Sequence, residues 1–448
     1  MAGITTPATG RLRRILGVGF GLAVVIGSTL GIGILRSPGL VAGSLRAPSL
    51  ILGVWIAGGL YTLLGAICLT ELGTMAPQAG GYYVYARRAF GDWVGIAVGW
   101  TDWITYCAVL GYVSIAMSEL VGELVPALAG AGKPIAIALL AGFVALQWAG
   151  IRVTSRFQEW TTALKFLAFL ALVVAGLVLS GQVAADPSTA APVASPGLSG
   201  LVIAVQAVVI TYAGWQSALY FTEEDRDPTR NLPRAMIGGV VAVIAIYVLV
   251  NLALLAIVPI PELAASKLPA ADAARLIVGD RARQVITVLS LVSLPPLLNA
   301  ILMIGTRILY ALGRDGLFWS RTATVTAGGT PGTATLATTA VAIGLIAIGD
   351  FQRLVAIASF FLAANYAVCC LALVALRRRE PAIARPFRAW GYPWSAAIVV
   401  AGAFGFLVSG LVGDTTSALD AIGVLAVGLV GFAWRRRRRA RPGGPISG

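Results

Sequence analysis

The stretch that decides the fold is GSTLGIGIL, residues 27–35, which lies inside an apolar run of membrane length from Ile15 to about Gly43. Three glycines and two hydroxyl side chains occupy the middle of this run. Non-helical backbone at membrane depth is tolerated only where protein, water or a ligand replaces the lost hydrogen bonds. The stretch therefore predicts a helix that is broken near the centre of the bilayer, at a binding site made by the backbone.

The whole chain has the composition of a polytopic membrane protein. It has 448 residues, of which 58% are hydrophobic and 12% are charged, with a mean hydropathy of +0.87. Soluble domains carry about twice that charged fraction. Apolar runs of about 20 residues, each able to cross a bilayer core of about 30 Å, recur along the chain. We predict an all-α fold of twelve transmembrane helices, at roughly 15–43, 47–73, 94–122, 133–152, 160–181, 198–222, 233–258, 284–312, 333–350, 352–376, 393–413 and 415–434.

The net charge of +14 indicates membrane orientation and does not require a nucleic acid partner. Most basic residues fall in alternate loops and in the two tails, as the positive-inside rule describes. We therefore expect a multi-pass protein of the cytoplasmic (inner) membrane with both termini in the cytoplasm. The run WRRRRRAR, residues 434–441, lies where anionic lipid headgroups would attract it.

Several classes of function depend on residues that this chain lacks or does not place together. The chain has no His, and its four Cys lie inside apolar spans, so we expect no metal site, cofactor or disulfide. No carboxylate pair at helical spacing lies within a span, which argues against a membrane-embedded enzyme. A sensor would usually carry a soluble signalling module, and the short tails do not provide one. A channel remains an alternative that conductance recording would separate from a carrier.

A second interruption lies in the sixth predicted span, at TYAGWQS, residues 211–217. Broken spans at matching places in two halves indicate an inverted-repeat transporter with its site between the repeats. Close packing at glycines is the alternative explanation, but it does not account for Ser28 and Thr29 beside them. The predicted organisation is a cytoplasmic tail (1–14), a first repeat (15–181), an external linker (182–197), a second repeat (198–376), a cytoplasmic loop with spans 11 and 12 (377–434), and a basic cytoplasmic tail (435–448).

A broken helix offers two kinds of backbone partner. The second half-helix presents a positive N-terminus near Gly31, Ile32 and Gly33, and the first half presents carbonyls at its negative C-terminus. Glycine lets a ligand approach the main chain closely. This arrangement suits a zwitterion, with its carboxylate on the N–H groups and its ammonium on the carbonyls.

Five ordered motifs resemble the amino acid–polyamine–organocation (APC) superfamily, and most closely the bacterial relatives of L-type amino acid transporters. They are GSTLGIGILRSP (27–38), APQAGGYYVYARRAFG (76–91), EEDRDPTRNLPRAM (223–236), TRILYALGRDGL (306–317) and RRREPAIARPFRAWGYP (377–393). The resemblance implies a LeuT-type fold of two inverted five-helix repeats plus two C-terminal helices. It also implies transport of amino acids or related amines. No heavy-chain partner is implied, because the external cysteine that such partners bond to is absent.

The resemblance also assigns site residues. It places the substrate carboxylate on Gly31, Ile32 and Gly33, and the amino group on the carbonyls of Thr29, Ile210 and Ala213. The remaining predicted binding residues are Gly27, Ser28, Thr211 and Trp215. The sequence departs from the family twice. Ile210 replaces a frequent aromatic gate, so occlusion must come from elsewhere, and Trp215 is one candidate, with interior packing as its alternative role. SLPPLLN (293–299) places a double proline in span 8.

Isolated charged residues in the spans and loops are the candidates for ion coupling and for gating of transport. A Lys at the bilayer centre costs about 2.5–3.5 kcal/mol, so Lys165 in span 5 is a functional hypothesis, with snorkelling to the membrane edge as the alternative. The resemblance places its ammonium where sodium-coupled relatives hold a sodium ion, and leaves open whether it also couples protons. Asp102 lies inside span 3 as a gate or network residue. We expect Glu223, Glu224 and Arg230 to form a network at the cytoplasmic side.

The resulting hypothesis is a sodium-independent secondary transporter of amino acids that works by alternating access, as a proton symporter or as an exchanger. The two interrupted segments contain no Asp or Glu. Neutral amino acids of small or medium size are therefore favoured over the alternative, a polyamine or cationic amino acid antiporter.

Overall fold

A computed structural model describes residues 12–31, 33–179, 197–266, 268–348 and 351–439. Every named element of these residues is a helix, which confirms the predicted all-α class. Ile32, most of the external linker (182–197) and most of the two tails lie outside the described residues, so the predictions made for them stay predictions.

The first half of the chain contains seven α-helices. A 3-10 helix, Pro126–Ala131, precedes the sixth. The bounds are α1 Val18–Thr29, α2 Gly33–Leu45, α3 Pro48–Met75, α4 Tyr82–Phe90, α5 Asp92–Leu124, α6 Gly132–Trp148 and α7 Ile151–Leu179.

The second half contains nine more α-helices, and a 3-10 helix, Trp215–Phe221, follows the first of them. The bounds are α8 Leu198–Thr211, α9 Pro228–Ile257, α10 Ile260–Ala265, α11 Pro269–Val278, α12 Ala282–Arg314, α13 Gly332–Ile348, α14 Phe351–Arg379, α15 Trp394–Gly413 and α16 Thr415–Arg439. Short 3-10 helices also lie at Gly279–Arg281 and Ser320–Ala323.

Ten helical segments of the described residues are long and apolar enough to cross a membrane. The pair α1 and α2, whose axes differ by 45°, provides an eleventh span, and the apolar α13 is shorter. The predicted count of twelve spans and their grouping into inverted repeats therefore stay predictions. The outer helices α15 and α16 expose apolar side chains such as Phe404 and Val427, as helices that face lipid do.

Two local features differ from the sequence-based expectation, and a third concerns the double proline. The fifth span begins at Ile151, because Gly150 at φ +97° ends the preceding helix. The segment after α9 forms two short helices separated near Ser266. Helix α12 continues through Pro295 and Pro296 without interruption. The double proline therefore does not divide span 8.

The interior brings both interrupted segments together. Helix α1 packs against α7, α9, α12 and the 3-10 helix Trp215–Phe221, and α2 packs against α8. Around them, α5 packs against α12 and α14. The centre of the molecule is therefore enclosed by helices from both halves of the chain.

Candidate functional site

Both predicted breaks are present, and they touch each other. Helix α1 ends at Thr29, and Leu30 adopts an extended conformation. Helix α8 ends at Thr211, and Gly214 takes a left-handed conformation at φ +115° before the 3-10 helix begins. A Cβ atom added to Gly214 would lie 2.5 Å from the carbonyl oxygen of Ser28. The left-handed backbone and the lack of a side chain at Gly214 allow the two unwound segments to meet.

Tyr247 of α9 joins the carbonyl ends of the two half-helices. Its hydroxyl oxygen lies 2.7 Å from the carbonyl oxygen of Thr29 and 3.0 Å from that of Thr211. A phenol has a single hydrogen to donate, so it cannot fully satisfy both acceptors at once. Two negative helix ends therefore converge on one buried side chain.

No local pattern in the sequence marks Tyr247 as a site residue. It lies in the apolar run of the seventh predicted span, where an isolated tyrosine has no spacing pattern that marks it. Its ring packs against Tyr212 and Trp55, at centroid distances of 4.8 and 5.6 Å. The only available signal was a hydroxyl-bearing residue in the middle of a membrane span.

Hydroxyl side chains of the interrupted segments also lie at the two breaks. The Ser28 hydroxyl is buried and has no hydrogen-bond partner among the described residues. The Thr29 hydroxyl instead donates back to the carbonyl of Val25 at 2.8 Å. Across the gap, the hydroxyls of Ser37 in α2 and Thr211 in α8 lie 2.7 Å apart. Ser28 is therefore the hydroxyl available to a ligand at the break.

Gly33 begins the second half-helix close to the end of α8. A Cβ added to Gly33 would lie 3.2 Å from the Thr211 Cγ2 atom, so a side chain there would narrow the gap. The N-terminal turn of α2 thus begins beside the C-terminal end of α8, and Ile32 lies outside the described residues. A positive helix end and two negative helix ends lie around the same small volume.

Two predicted residues lie elsewhere than expected. The Ile210 carbonyl accepts the Ala213 amide at 3.1 Å within its own turn, and the Ile210 side chain is 42% exposed on the outer surface of α8. Trp215 is buried between Tyr366, at a ring distance of 5.2 Å, and Gly65, where an added Cβ would lie 3.0 Å from the indole. Trp215 is thus an interior packing residue in this conformation.

Lys165 is fully buried, and its ammonium donates to the Gly27 carbonyl at 2.9 Å. The snorkelling alternative is therefore wrong for this conformation. The approach of α7 to α1 requires a glycine at position 27, because an added Cβ would lie 2.5 Å from both Gln158 Nε2 and Thr162 Oγ1. A positive charge from span 5 thus neutralises the carbonyl end of the first half-helix.

A buried polar network extends from this contact. The Thr162 hydroxyl donates to the Ala23 carbonyl at 3.0 Å, and the Gln158 side chain donates to Thr162 at 3.2 Å. The Asn299 amide of α12, which follows the double proline, donates to Gln158 Oε1 at 2.9 Å. Gln147 of α6 donates in turn to Asn299 at 2.8 Å. The network fixes α1 against three neighbouring helices.

Asp102 lies in a separate buried cluster. Its side chain is fully buried in α5, and the Tyr220 hydroxyl lies 3.1 and 2.9 Å from its two carboxylate oxygens. Tyr220 belongs to the 3-10 helix that follows the second break. Asp102 does not contact the two unwound segments directly.

Glu223 and Glu224 both form ion pairs, but with cations other than Arg230. Glu224 forms a fully buried two-bond ion pair with Arg307, at 2.9 and 3.0 Å. Glu223 pairs with Arg314 at 2.6 Å and accepts the Ala79 amide. The prediction that Arg230 joins this network is wrong. Its side chain is 77% exposed and lies 3.7 Å from Asp227, one turn away on the surface.

The same surface carries a carboxyl with a shifted pKa. Burial alone would raise the pKa of Asp315, but hydrogen bonds from Arg314 and from the Tyr83 hydroxyl outweigh that effect, and the net pKa lies below the usual value. Asp315 also pairs with Arg87 at 3.2 Å. A backbone bridge also joins Leu16 to Asp225.

Comparisons with known proteins agree with this architecture. A family model described as amino acid permease matches residues 21–431. The chain is 28% identical to the serine/threonine exchanger SteT of Bacillus subtilis, over 96% of this chain and 98% of that protein. It is 28% identical to human b(0,+)-type amino acid transporter 1, over 55% of this chain and 52% of the relative. It is 29% identical to mouse Asc-type amino acid transporter 1, over 75% of this chain and 65% of that relative.

Proposed function

The chain belongs to the amino acid permease family, and on that premise we propose that it carries small neutral amino acids across the cytoplasmic membrane by alternating access. The full-length similarity to a serine/threonine exchanger supports small neutral substrates and an exchange mode. Both termini would lie in the cytoplasm, on the side that the basic loops indicate. The basic residues at the end of α16 would contact anionic lipid headgroups there.

The observation that carries the proposal is the meeting of the two breaks at Tyr247. The Thr29 and Thr211 carbonyls compete for one phenolic hydrogen, so a substrate ammonium would supply the missing donors. The carboxylate would bind the main-chain amides between Gly31 and Gly33 at the start of α2, where the helix dipole is positive. The free Ser28 hydroxyl would add a further partner.

Lys165 supports sodium independence. A sodium ion at the end of α1 would require the backbone carbonyl that the Lys165 ammonium already occupies. The buried ammonium supplies one positive charge at the helix C-terminus, as a bound cation would. Lys165 would therefore hold the first half-helix in its substrate-binding conformation without a bound sodium ion.

The direct test is uptake of labelled substrates by proteoliposomes that contain the purified full chain. We expect uptake of serine, threonine or alanine in sodium-free buffer, and faster uptake when the vesicles are preloaded with an unlabelled neutral amino acid. Arginine and putrescine serve as controls for the cationic alternative. A strict sodium requirement, preferred uptake of putrescine, or no uptake of any amino acid would contradict the proposal.

A further inference from the structure

Asp102 is a buried acid that the substrate site does not use. It lies in the middle of α5, and its side chain has no exposed surface. Its one hydrogen-bond donor among the described residues is the Tyr220 hydroxyl. A single phenol provides one hydrogen, whereas a buried carboxylate needs several donors or a cation to remain charged at low cost.

The elements around Asp102 supply no cation to it. The titratable side chains that face it are aromatic hydroxyls and one thiol, namely Tyr82, Tyr106, Tyr220, Tyr366 and Cys369. Basic residues on the packed helices have other partners, and Arg377 of α14 is paired with Glu71. Arg307 of α12 is paired with Glu224, Arg87 of α4 with Asp92 and Asp315, and Lys133 of α6 donates to a carbonyl at the other end of the bundle.

Two further packed helices add no opposite charge. Helix α13 contains no ionisable residue. In α16, Asp420 pairs with Arg353, and the arginines follow Trp434 at the end of the helix. Asp102 is thus an acid in an apolar and phenolic environment, where protonation removes an uncompensated charge.

A chain of hydrogen-bonding groups connects Asp102 to the second break. The Gly214 amide donates to Gln216 Oε1 at 3.3 Å, and Gln216 Nε2 donates to the Tyr106 hydroxyl at 3.2 Å. The Tyr106 and Tyr220 rings pack edge to face, with centroids 5.4 Å apart. Tyr220 in turn donates to Asp102. The Gln216 amide thus donates to Tyr106 and the Tyr220 hydroxyl donates to the carboxylate, which is the direction that an ionised Asp102 requires.

Protonation would reverse this direction. A protonated Asp102 has a hydrogen to donate, so Tyr220 can accept it and turn its own hydrogen toward Tyr106. If the Gln216 side-chain amide also turns over, Tyr106 would donate to its carbonyl oxygen, and the Gly214 amide and the Tyr366 hydroxyl would both lose that acceptor. Gly214 is the residue that contacts Ser28 at the meeting of the breaks. The charge state of Asp102 is therefore linked to a hydrogen bond inside the substrate-binding segment.

We propose that Asp102 is a proton-binding site of the transport cycle, linked to the unwound segment of span 6 through Tyr220, Tyr106 and Gln216. One proton enters from water on the open side and binds a carboxylate oxygen, and the side chain changes from −1 to neutral. The proton leaves the same oxygen when the other side opens. This site shares no hydrogen bond with Lys165, which acts on span 1, and the proposal rests on the transport function proposed above.

The test combines two readouts on the full chain in proteoliposomes. Infrared difference spectra of the substrate-free protein, recorded while pH is changed, should show a buried protonated carboxyl band that is absent in Asp102→Asn. In the second readout, a pH-sensitive dye should report about one proton exchanged per bound serine in the wild type and none in Asp102→Asn. The surface variant Asp92→Asn, whose carboxylate is 52% exposed, is the matched control and should behave as wild type.

A second variant keeps the proposal testable if Asp102→Asn does not fold. Tyr220→Phe keeps the ring and the acid but removes the donor, so the pH profile of serine uptake should move by about one unit to higher pH. If Asp102→Asn retains both the carboxyl band and the proton exchange, or if Tyr220→Phe retains the wild-type pH profile, the proposal is wrong. A wild type that carries no amino acid would overturn only the transport function, because the infrared titration requires no substrate.

Discussion

Gly214 packs directly on the Ser28 carbonyl, so closely that a methyl group at Gly214 would lie 2.5 Å from that oxygen. This contact joins the unwound parts of two helices that are far apart in the sequence. It depends on a backbone conformation at φ +115° that residues with a side chain rarely adopt. The site is therefore defined by main-chain geometry before any side chain contributes.

Gly214→Ala should abolish transport. The added methyl group must displace the end of α1, and the left-handed backbone adds strain of about 1–3 kcal/mol. Gly53→Ala is the matched control, because an added Cβ there, near the start of α3, meets nothing within 4 Å. Uptake rates and unfolding midpoints should separate the two variants. Wild-type transport by Gly214→Ala would show that the two segments need not touch.

Tyr247→Phe should slow transport about tenfold or more. The variant leaves the carbonyls of Thr29 and Thr211 without their shared donor in the empty protein, a loss of about 1–3 kcal/mol. Tyr212→Phe is the control, because the neighbouring Tyr212 hydroxyl donates to the Trp55 carbonyl instead. Initial uptake rates at several substrate concentrations would measure the difference. Equal uptake rates in the two variants would show that the Tyr247 hydroxyl has no role in the site.

Lys165→Gln should impair transport, because the Gly27 carbonyl loses a charged donor and the end of α1 loses its neutralising cation. Slower uptake or a changed pH dependence is expected. Lys133→Gln removes an ammonium that contacts only the Ala347 carbonyl among the described residues, and it should transport normally. If Lys165→Gln has the rate and pH response of the wild type, the lysine has a structural role alone.

Glu224→Gln should destabilise the protein by about 3–5 kcal/mol, because it leaves the Arg307 guanidinium buried without a countercharge. The double variant Glu224→Gln with Arg307→Met removes both charges and should recover part of the loss. Arg230→Ala, at an exposed position, should change stability by no more than about 0.5 kcal/mol. Unfolding midpoints in detergent would measure all three. A Glu224→Gln midpoint equal to that of Arg230→Ala would contradict the buried pair.

The sequence predicted those parts of the site that the residue composition of a single segment indicates. Glycines and hydroxyls in the middle of apolar runs predicted the interruptions near Ser28 and Ala213, because a continuous membrane helix gains nothing from them. An isolated Lys165 marked a functional position by the cost of burying its charge. These signals need no knowledge of which helices are neighbours.

The rest depends on contacts between distant segments. Tyr247 is one tyrosine in an apolar span, and only its position between two carbonyls gives it a role. Arg307 pairs with Glu224, 83 positions away, and no local pattern links the two residues. Arg230 is close to Glu223 and Glu224 in sequence, but its exposed side chain lies 3.7 Å from Asp227 instead. Ion pairs and hydrogen bonds between helices depend on how the helices pack, and local sequence patterns do not show that packing.

The central claim is that main-chain groups of the two breaks bind both charged ends of an amino acid. Equilibrium binding to the purified protein should be compared for its best substrate, the decarboxylated analogue and the deaminated analogue. We predict that each analogue binds at least about 100-fold more weakly, a loss of about 2.8 kcal/mol. Binding of either analogue within about threefold of the substrate would contradict the claim.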